Sequence, residues 1–485
     1  MEERSTYCYN ERYIGTYMPF SCNNLPYTEV TEKIERIRNY APSIARPLIC
    51  LPNIHPKSGL ESPPQFVAAT RGAIIPQLSA PAMNCGMSIF KTSLSKDDIS
   101  EAFLREFAAN LRAGVRPWIS RWRTALQWFG FYQRPITKYD LSKQELADMF
   151  LHGAGAAAQR YQLATSQVAN MEYSGCILSE EEKRGTDLSH LVPRSAWVNG
   201  RHEMGYNFGG NHFLEFHYVE EIVNEETARA WGIQNNQILL FYHGGGGHGT
   251  YHLGRYFGRR EKNTPSEKAI LFWLKLLFHF GSWDGIKNFR ARWHAYFSRT
   301  PFPAIALNSP EGRRLIQSIK IALNYGYAFR AALLRRIIDA IPQNKNAEVS
   351  FLWDAAHNSI MEEEIDGEKL IVHRQDAMRV FPERPVMIAG FNSLSYLGVG
   401  QSNTSATMHS ATPSAGKTIV RFEKDGKSKP DFTHFTLVSK RKEPELRRES
   451  HRTSEGLFAV AKELEDAGIV KPVAYLRPIG LIKGH

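Results

Sequence analysis

Apolar residues recur at helical spacing in several stretches of the chain, and each such stretch predicts a helix. In residues 97–113, Ile99, Phe103 and Phe107 fall on one face, and two aspartates open the run. The same reasoning predicts helices over residues 142–170, 266–281, 309–341 and 454–467. Residues 95–171 are therefore expected to form a mainly helical subregion.

Shorter apolar runs, bounded by proline, glycine or asparagine, predict strands. These runs cover residues 51–55, 72–76, 87–90, 204–218 and 237–243, and another begins at residue 348. Glycine-punctuated apolar runs follow at residues 386–400 and 473–484, whereas residues 423–453 are expected to form a basic, loop-rich segment. Because strands and helices do not alternate regularly, the pattern predicts an α+β fold rather than a doubly wound sheet.

Composition narrows the class of protein. The 485 residues are 42% hydrophobic and 12% aromatic, which suffices for a substantial core and for one large domain or two to three ordinary ones. No apolar run approaches the roughly 18 residues of a membrane helix, and the N-terminus lacks the features of a signal peptide. Five scattered cysteines argue for a reducing, cytoplasmic location and against a disulfide framework.

The net charge of +11 favours an anionic partner, and nucleic acid is the commonest such partner for a protein of this size. Residues 440–452 are strongly basic and are expected either to contact RNA backbone or to form a solvated loop. Residues 116–132 combine three tryptophans with several arginines. That cluster fits an RNA-stacking surface, but packing against neighbouring helices is the favoured interpretation.

Residues 206–249 hold most of the chemistry-bearing groups. Asn211, His212 and Glu215 follow two glycines, and the run 237–242 ends in His243, four glycines and His248. Glycine permits positive φ and close backbone approach, which suits a phosphate or a metal-bound ligand. The alternative is a pair of tight turns at sheet edges with incidental histidines.

Residues 411–418 are similar to a degenerate phosphate-binding loop that ends in Gly416-Lys417-Thr418. That motif works only where a helix follows, so that the amides of the helix N-terminus face the phosphates. Here residues 419–422 resemble a strand, and we therefore expect no ATPase loop.

Taken together, a series of motifs resembles the RtcB-type RNA ligases over nearly the whole chain and in the order of that family. The motifs are Asn84-Cys85-Gly86, Gly209-Gly210-Asn211-His212-Phe213-Leu214-Glu215, His243-Gly244, Asn324-Tyr325-Gly326, Asp354-Ala355-Ala356-His357-Asn358, Val372-His373-Arg374, Ser405-Ala406-Thr407-Met408-His409, Leu476-Arg477-Pro478-Ile479-Gly480 and Lys483-Gly484. The resemblance implies one large domain over residues 1–485, with mixed and antiparallel sheets around a central metal-binding cleft and with peripheral helices.

The activity that the resemblance implies is GTP- and manganese-dependent joining of an RNA 2′,3′-cyclic phosphate or 3′-phosphate to a 5′-hydroxyl, in tRNA repair or splicing. In that chemistry a neutral imidazole attacks the α-phosphorus of GTP, and His409 matches this nucleophile. The matches to the family's manganese ligands are Cys85, His212, His243 and His357, a mixed thiolate and imidazole set for one or two ions. The matches to its guanylate-binding residues are Asn211, Glu215, Ser395, His409 and Lys483. Any protein activator is unknown.

The sequence departs from the family at three polar positions of the site. Ala82 stands where the family has a metal-binding aspartate, and Gly247 where it has a phosphate-binding arginine. A second arginine, which follows the nucleophile, is also missing. Two alignments are open there: one places His409 at the nucleophile, and the other places Pro413 there and Lys417 at the arginine. We expect His409, because the residues before it fit the family.

These departures leave two alternatives to a ligase. One is an RNA-end-binding protein that keeps the fold and a basic groove but has weakened catalysis. The other is a metal-dependent phosphodiesterase that opens 2′,3′-cyclic phosphates without joining ends.

Overall fold

The computed structural model describes residues 20–22, 25–115, 123, 137–257, 265–431, 433–439 and 444–483. Its helices in chain order are α1 (Thr28–Tyr40), α2 (Glu101–Arg112), α3 (Lys143–Arg160), α4 (Thr165–Val168), α5 (Glu180–Arg184), α6 (Arg194–Asn199), α7 (Glu225–Trp231), α8 (Gly247–Phe257), α9 (Pro265–Phe280), α10 (Trp283–Lys287), α11 (Phe289–Tyr296), α12 (Pro310–Ala340), α13 (Gly416–Lys424) and α14 (Glu455–Asp466). No helix among these residues is long and apolar enough to cross a membrane.

The strands fall into several sheets, so the fold is mixed α+β, as the sequence pattern predicts. In chain order they are β1 (Ile49–Cys50), β2 (Phe66–Thr70), β3 (Ala73–Ile74), β4 (Gly86–Ser95), β5 (Phe213–Ile222), β6 (Gln237–Gly244), β7 (Ile305–Ala306), β8 (Val349–Ala356), β9 (Asn358–Ile365), β10 (Glu368–Gln375), β11 (Met378–Arg379), β12 (Pro385–Ile388), β13 (Ser395–Gly400), β14 (Ser410–Ala411), β15 (His434–Ser439), β16 (Leu446–Ser450) and β17 (Val470–Lys483). The division of the chain into domains stays a prediction.

The largest sheet has the strand order β12-β13-β17-β5-β6-β4-β8. Its neighbouring strands pair antiparallel, while β15 joins β17 in parallel and carries β16. A second sheet has the order β1-β2-β10-β9. The strands β5, β6, β4 and β8 are consecutive neighbours in this sheet, so the residues at their ends are brought together although they are far apart in the chain.

The 31-residue helix α12 lies in the larger hydrophobic core, with apolar residues buried on every side. It packs chiefly against α3 and also against α2 and α8. Ser309 caps its N-terminus by accepting from the amide of Gly312, and Pro310 occupies the first turn, where no amide is needed. A helix buried on all sides must satisfy any polar side chain internally, and Arg330 is one such side chain.

The long predicted elements are confirmed, with shifted ends. The stretch predicted as one helix over residues 142–170 forms α3, which ends at Arg160, and then the short helix α4. Non-helical backbone at Gly153 (φ 56°, ψ −133°) also interrupts α3. Residues 51–55 are not a strand, and the neighbouring strands are β1 and β2. Residues 423–453 contain the hairpin β15–β16 rather than loop alone. Basic residues 440–443 lie outside the described residues, as does the aromatic and arginine cluster 116–132 apart from residue 123.

Two further expectations are wrong. Residues 416–424 form a helix rather than the strand expected over 419–422, because their apolar side chains fall on one helical face against α14. Cys22 and Cys50 form a disulfide, whereas the cysteine count argued against a disulfide framework. Ser21 forms a bridge with Ile49, so the fold brings together cysteines that are 28 positions apart. Cys22 and Cys50 therefore do not support the expectation of a reducing compartment.

Replacing Arg330 with methionine is expected to lower the free energy of unfolding by about 3 to 5 kcal/mol, because the carboxylate of Asp354 would stay buried without its partner. Arg335→Met on the same helix is the matched control. Its ion pair with Asp339 is partly exposed, and its loss should cost less than about 1 kcal/mol. Urea unfolding followed by circular dichroism measures both; equal losses would contradict the role given to Arg330.

A candidate metal centre and nucleotide cleft

A turn between Pro81 and Gly86 carries the candidate ligand Cys85. Asn84 adopts a positive φ of 52° in this turn, and its side-chain amide donates to the carbonyl of Leu323 in α12. The helix can approach so closely because residue 326 is glycine; a Cβ there would lie 2.5 Å from the side chain of Asn84. The Asn-Tyr-Gly sequence of α12 thus helps to fix where Cys85 lies.

Arg330 ties this turn to the sheet. Its guanidinium donates to both carboxylate oxygens of Asp354 in β8, at 2.5 and 2.7 Å. It also donates to the backbone and side-chain oxygens of Asn84, each at 2.9 Å. Ser88 of β4 donates to Asp354 at 2.6 Å. Both charged side chains are fully buried, so the ion pair is satisfied entirely by protein groups.

Strand pairing brings four of the sequence-predicted ligands to one place. His243 lies near the end of β6 opposite Met87 of β4, and Gly86 pairs with Ala356 of β8, just before His357. Cys85 precedes β4, and its carbonyl accepts from the amide of His357 at 2.8 Å. His212 directly precedes β5, which pairs with β6.

The side chains converge as the strands do. The Sγ atom of Cys85 lies 3.6 Å from Nε2 of His243 and 3.5 Å from Nε2 of His212. The Nε2 atoms of His243 and His357 are 3.1 Å apart. The ligand atoms of Cys85, His243 and His357 all lie within 4.8 Å of one another, so these three residues form the tightest group, which we call the Cys85 cluster.

Outer contacts orient the two imidazoles of this cluster. Nδ1 of His243 lies 3.1 Å from the backbone carbonyl of Asn211, and Nδ1 of His357 lies 3.1 Å from a carboxylate oxygen of Asp376. Because each Nδ1 faces an acceptor, each Nε2 is left for a ligand, as in metal sites where a second contact fixes the tautomer.

Electrostatics favour a thiolate at Cys85. Burial would raise the pKa of its thiol, but the imidazoles of His357, His243 and His212 lower that pKa well below its usual value. Burial likewise would lower the pKa of His357, whereas Cys85 and Asp376 raise it to about 9. A thiolate with imidazoles is a donor set that suits a borderline divalent ion. The chemistry of the residues therefore fits a resident metal ion.

A cleft of about 640 Å³ opens beside the Cys85 cluster, and His243 lines both. Its basic lining residues are His55, Lys57, Lys417, Arg452 and Lys483. Asn211, Glu215, Asp376 and Asn392 supply amides and carboxylates. Lys417 lies in the first turn of α13, where the helix dipole also favours an anion. The cleft is thus built for a negatively charged ligand.

Three of the residues expected to bind a guanylate lie together in this cleft: Asn211, Glu215 and Lys483. In the pairing of β17 with β5, Leu481 faces Glu215 and Lys483 faces Phe213, which places the lysine near the carboxylate. Ser395, the fourth, does not line the cleft. Its hydroxyl is buried and contacts Nε2 of His217 at 3.2 Å and the amide of Gly390 at 3.1 Å.

Glu215 is the least satisfied polar group of the cleft. One carboxylate oxygen accepts a long contact of 3.4 Å from the amide of Asn392, and the other has no hydrogen-bond partner among the described residues. Burial raises the pKa of Glu215 to about 7, although Asn392 and Lys483 act to lower it. A buried acceptor facing a cleft fits a ligand that brings N–H donors, as the edge of guanine does.

His409 does not line the cleft. Its Nδ1 contacts the hydroxyl of Thr404 at 2.5 Å, and its charged neighbours are Arg374, Glu363 and Arg379. Pro413 lines the cleft instead, beside Ser414, whose hydroxyl accepts from Asn53 at 3.2 Å. The alignment that places Pro413 at the nucleophile position therefore puts that position in the cleft, whereas the alignment with His409 puts it outside the cleft lining.

The structure also accounts for the glycine at position 247. Gly247 has a φ of 52°, and a Cβ there would lie 2.5 Å from the carboxylate of Glu203. Glu203 accepts from the amide of Gly249 at 2.7 Å and from the hydroxyl of Tyr325 at 3.1 Å, which holds it in that position. An arginine at this position would be strained by the positive φ, and its Cβ would require the carboxylate of Glu203 to move.

Sequence reasoning missed three ionisable residues that line the cleft: His55, Lys57 and Asp376. Arg452 also lines the cleft, and it ends the basic segment for which contact with RNA was one expectation. His55 lies in a run that was interpreted only as a strand, and Lys57 follows it closely. Asp376 directly follows β10, two residues beyond the motif that ends at Arg374. The signal for Asp376 and Lys57 was a charged residue just after an apolar run.

Comparison with known proteins finds one family. A family model described as "tRNA-splicing ligase RtcB" matches residues 36–484. A protein of that name from Thermococcus kodakarensis is 25% identical over 488 residues, which cover 93% of this chain and 91% of the relative. One from Methanococcus maripaludis is 23% identical over 490 residues, with 93% and 91% covered. One from Methanocaldococcus jannaschii is 25% identical over 431 residues, 83% of this chain; the chain spans about two fifths, 40%, of that relative.

Replacing Cys85 with alanine is expected to abolish stoichiometric Mn²⁺ binding, because the cluster loses its one anionic ligand. The loss should exceed the roughly 10- to 100-fold effect of removing an outer-shell partner. Equilibrium dialysis with elemental analysis measures it, and Cys176→Ala, at the other free cysteine of the described residues, is the matched control. Unchanged binding in Cys85→Ala would place the ion elsewhere.

Proposed function

This chain belongs to the RtcB family of tRNA-splicing ligases as a divergent member, and we propose that it joins RNA ends with a divalent metal ion and a guanine nucleotide. Family membership implies ligation of a 3′-phosphate to a 5′-hydroxyl end. The finer proposal is that a 2′,3′-cyclic phosphate is also accepted, that GTP is the nucleotide and that Mn²⁺ is the ion. The proposal rests on one observation, that the candidate metal centre and the cleft share a residue. His243 belongs to the Cys85 cluster and also lines the basic cleft, together with Glu215 and Lys483.

In this proposal Cys85, His243 and His357 hold one Mn²⁺, and His212 fits as a further ligand beside Cys85. When bound, the ion supplies Lewis-acid stabilisation of phosphate charge. Ala82 brings no side-chain oxygen; its backbone carbonyl instead accepts from the amide of Cys85 at 3.2 Å. The missing carboxylate supports one ion rather than two.

The cleft residues bind and orient the nucleotide in the same proposal. The carboxylate of Glu215 accepts from the N–H groups of guanine, which satisfies its unpartnered oxygen. Lys417 and Lys483 neutralise phosphate oxygens, and the first turn of α13 adds its dipole. The same cations bind the RNA backbone. The affinity of the protein for RNA should therefore fall as the salt concentration rises.

The route through a guanylylated His409 stays a prediction, and its geometry is unfavourable because His409 does not line the cleft. Pro413 has no nucleophilic group. This observation favours a second candidate function, an RNA-end-binding protein or a cyclic phosphodiesterase that needs no guanylylated histidine.

RNA fragments with 2′,3′-cyclic phosphate and 5′-hydroxyl ends separate these functions. With Mn²⁺ and GTP, the wild-type protein is expected to yield a joined product on a denaturing gel, whereas Cys85→Ala should yield none because the ion is lost. Opening of the cyclic phosphate without joining would identify a phosphodiesterase. Binding of RNA without any change would identify an end-binding protein.

GTP binding is expected to weaken as the pH falls from about 8 to about 6. Glu215 has a raised pKa near 7, and only its ionised form offers two acceptor oxygens to the N–H groups of guanine. The imidazole that faces Glu215 does not reverse the sign of this pH dependence. Burial lowers the pKa of His217 to about 3, so that imidazole stays neutral between pH 6 and 8.

Glu215→Gln should weaken GTP binding by about 1.5 to 3 kcal/mol and remove this pH dependence. Glu221→Gln, at an exposed position of the same strand, is the matched control. Calorimetric titration at both pH values makes the measurement. A pH dependence that persists in Glu215→Gln would exclude the carboxylate as its source.

A further inference from the structure

Two histidines line the cleft, His55 and His243. His243 belongs to the Cys85 cluster, where its Nε2 faces the other ligand atoms. Of these two cleft histidines, His55 is therefore the one that does not belong to the Cys85 cluster. Its side chain is partly exposed, so a ligand in the cleft can reach it.

A backbone contact sets the tautomer of His55. Nδ1 lies 2.9 Å from the carbonyl oxygen of Asn53, and a carbonyl only accepts, so Nδ1 carries the hydrogen and Nε2 the lone pair. Burial lowers the pKa of His55, which keeps the imidazole neutral and nucleophilic near neutral pH. Asn53 is itself held, since its side chain donates to Ser414 and accepts from the amide of Thr418 at 2.8 Å.

The charges around His55 suit attack on a phosphate. Lys57 and Lys417 lie close enough to act on it electrostatically, and both line the cleft. Asp376 acts on it with the opposite sign, and the same carboxylate contacts His357 of the Cys85 cluster. His55 thus lies between cations that suit phosphate oxygens and a carboxylate that reaches the candidate metal ligands.

We propose that His55 is the nucleophile that takes up the guanylyl group in this protein, in place of the missing histidine at position 413. The proposal rests on GTP binding in the cleft. Nε2 attacks the α-phosphorus, an N–P bond forms, the bond from that phosphorus to the bridging oxygen of the β-phosphate breaks, and pyrophosphate leaves with the electron pair. Nδ1 keeps its hydrogen, and the carbonyl of Asn53 stabilises the resulting positive charge on the ring.

Peptide mapping by mass spectrometry after incubation with GTP and Mn²⁺ tests the proposal. A guanylyl adduct is expected on the peptide that contains His55. The adduct should disappear in His55→Ala and in the conservative His55→Gln, and should persist in His409→Ala. An adduct on His409, or GTP binding by calorimetry without any adduct, would overturn the role of His55 while leaving nucleotide binding intact. Absence of GTP binding would overturn the proposed function as well.

A second readout needs neither metal nor turnover. Diethyl pyrocarbonate reacts with neutral, accessible imidazoles, and GTP is expected to slow its reaction with His55 in metal-free protein. His409 serves as the internal reference, since it does not line the cleft and should react at the same rate with and without GTP. Equal rates at His55 with and without saturating GTP would contradict its placement beside the nucleotide.

Discussion

The buried ion pair between Arg330 and Asp354 is the interaction on which the candidate site depends. Both side chains are fully buried, and the guanidinium also fixes Asn84, the residue before Cys85. A charge in the interior is costly unless it is paired and hydrogen-bonded, so helix, strand and turn are constrained to one arrangement. The position of Cys85, the candidate thiolate ligand, is a consequence of that constraint.

The site combines two regions with different electrostatics. The Cys85 cluster gathers a thiolate and imidazoles at the ends of neighbouring strands, whereas most of the charged residues that line the cleft are cations, with Glu215 as a buried, unsatisfied acceptor. The structure shows what surrounds two of the positions at which the sequence departs from the family. Glu203 occupies the space beside Gly247, and Lys417 in the first turn of α13 lines the cleft.

Much of this could be predicted from the sequence, because helical periodicity and motif order are local signals. The long helices and the meeting of Cys85, His212, His243 and His357 are of this kind. Three features could not be predicted in this way: the position of His409 outside the cleft lining, the helix α13 and the position of His55 in the cleft. Each depends on which parts of the chain pack against one another. Local spacing fits two alignments around residues 409–417; only the fold separates a position in the cleft from one beside it.

The most direct test of the central claim is an anomalous difference map from crystals grown with Mn²⁺ and GTP, collected at the manganese absorption edge. We expect a single strong peak bounded by Sγ of Cys85 and the Nε2 atoms of His243 and His357, with guanine against Glu215 in the adjoining cleft. A peak away from these three atoms, or a nucleotide bound outside the cleft, would contradict it.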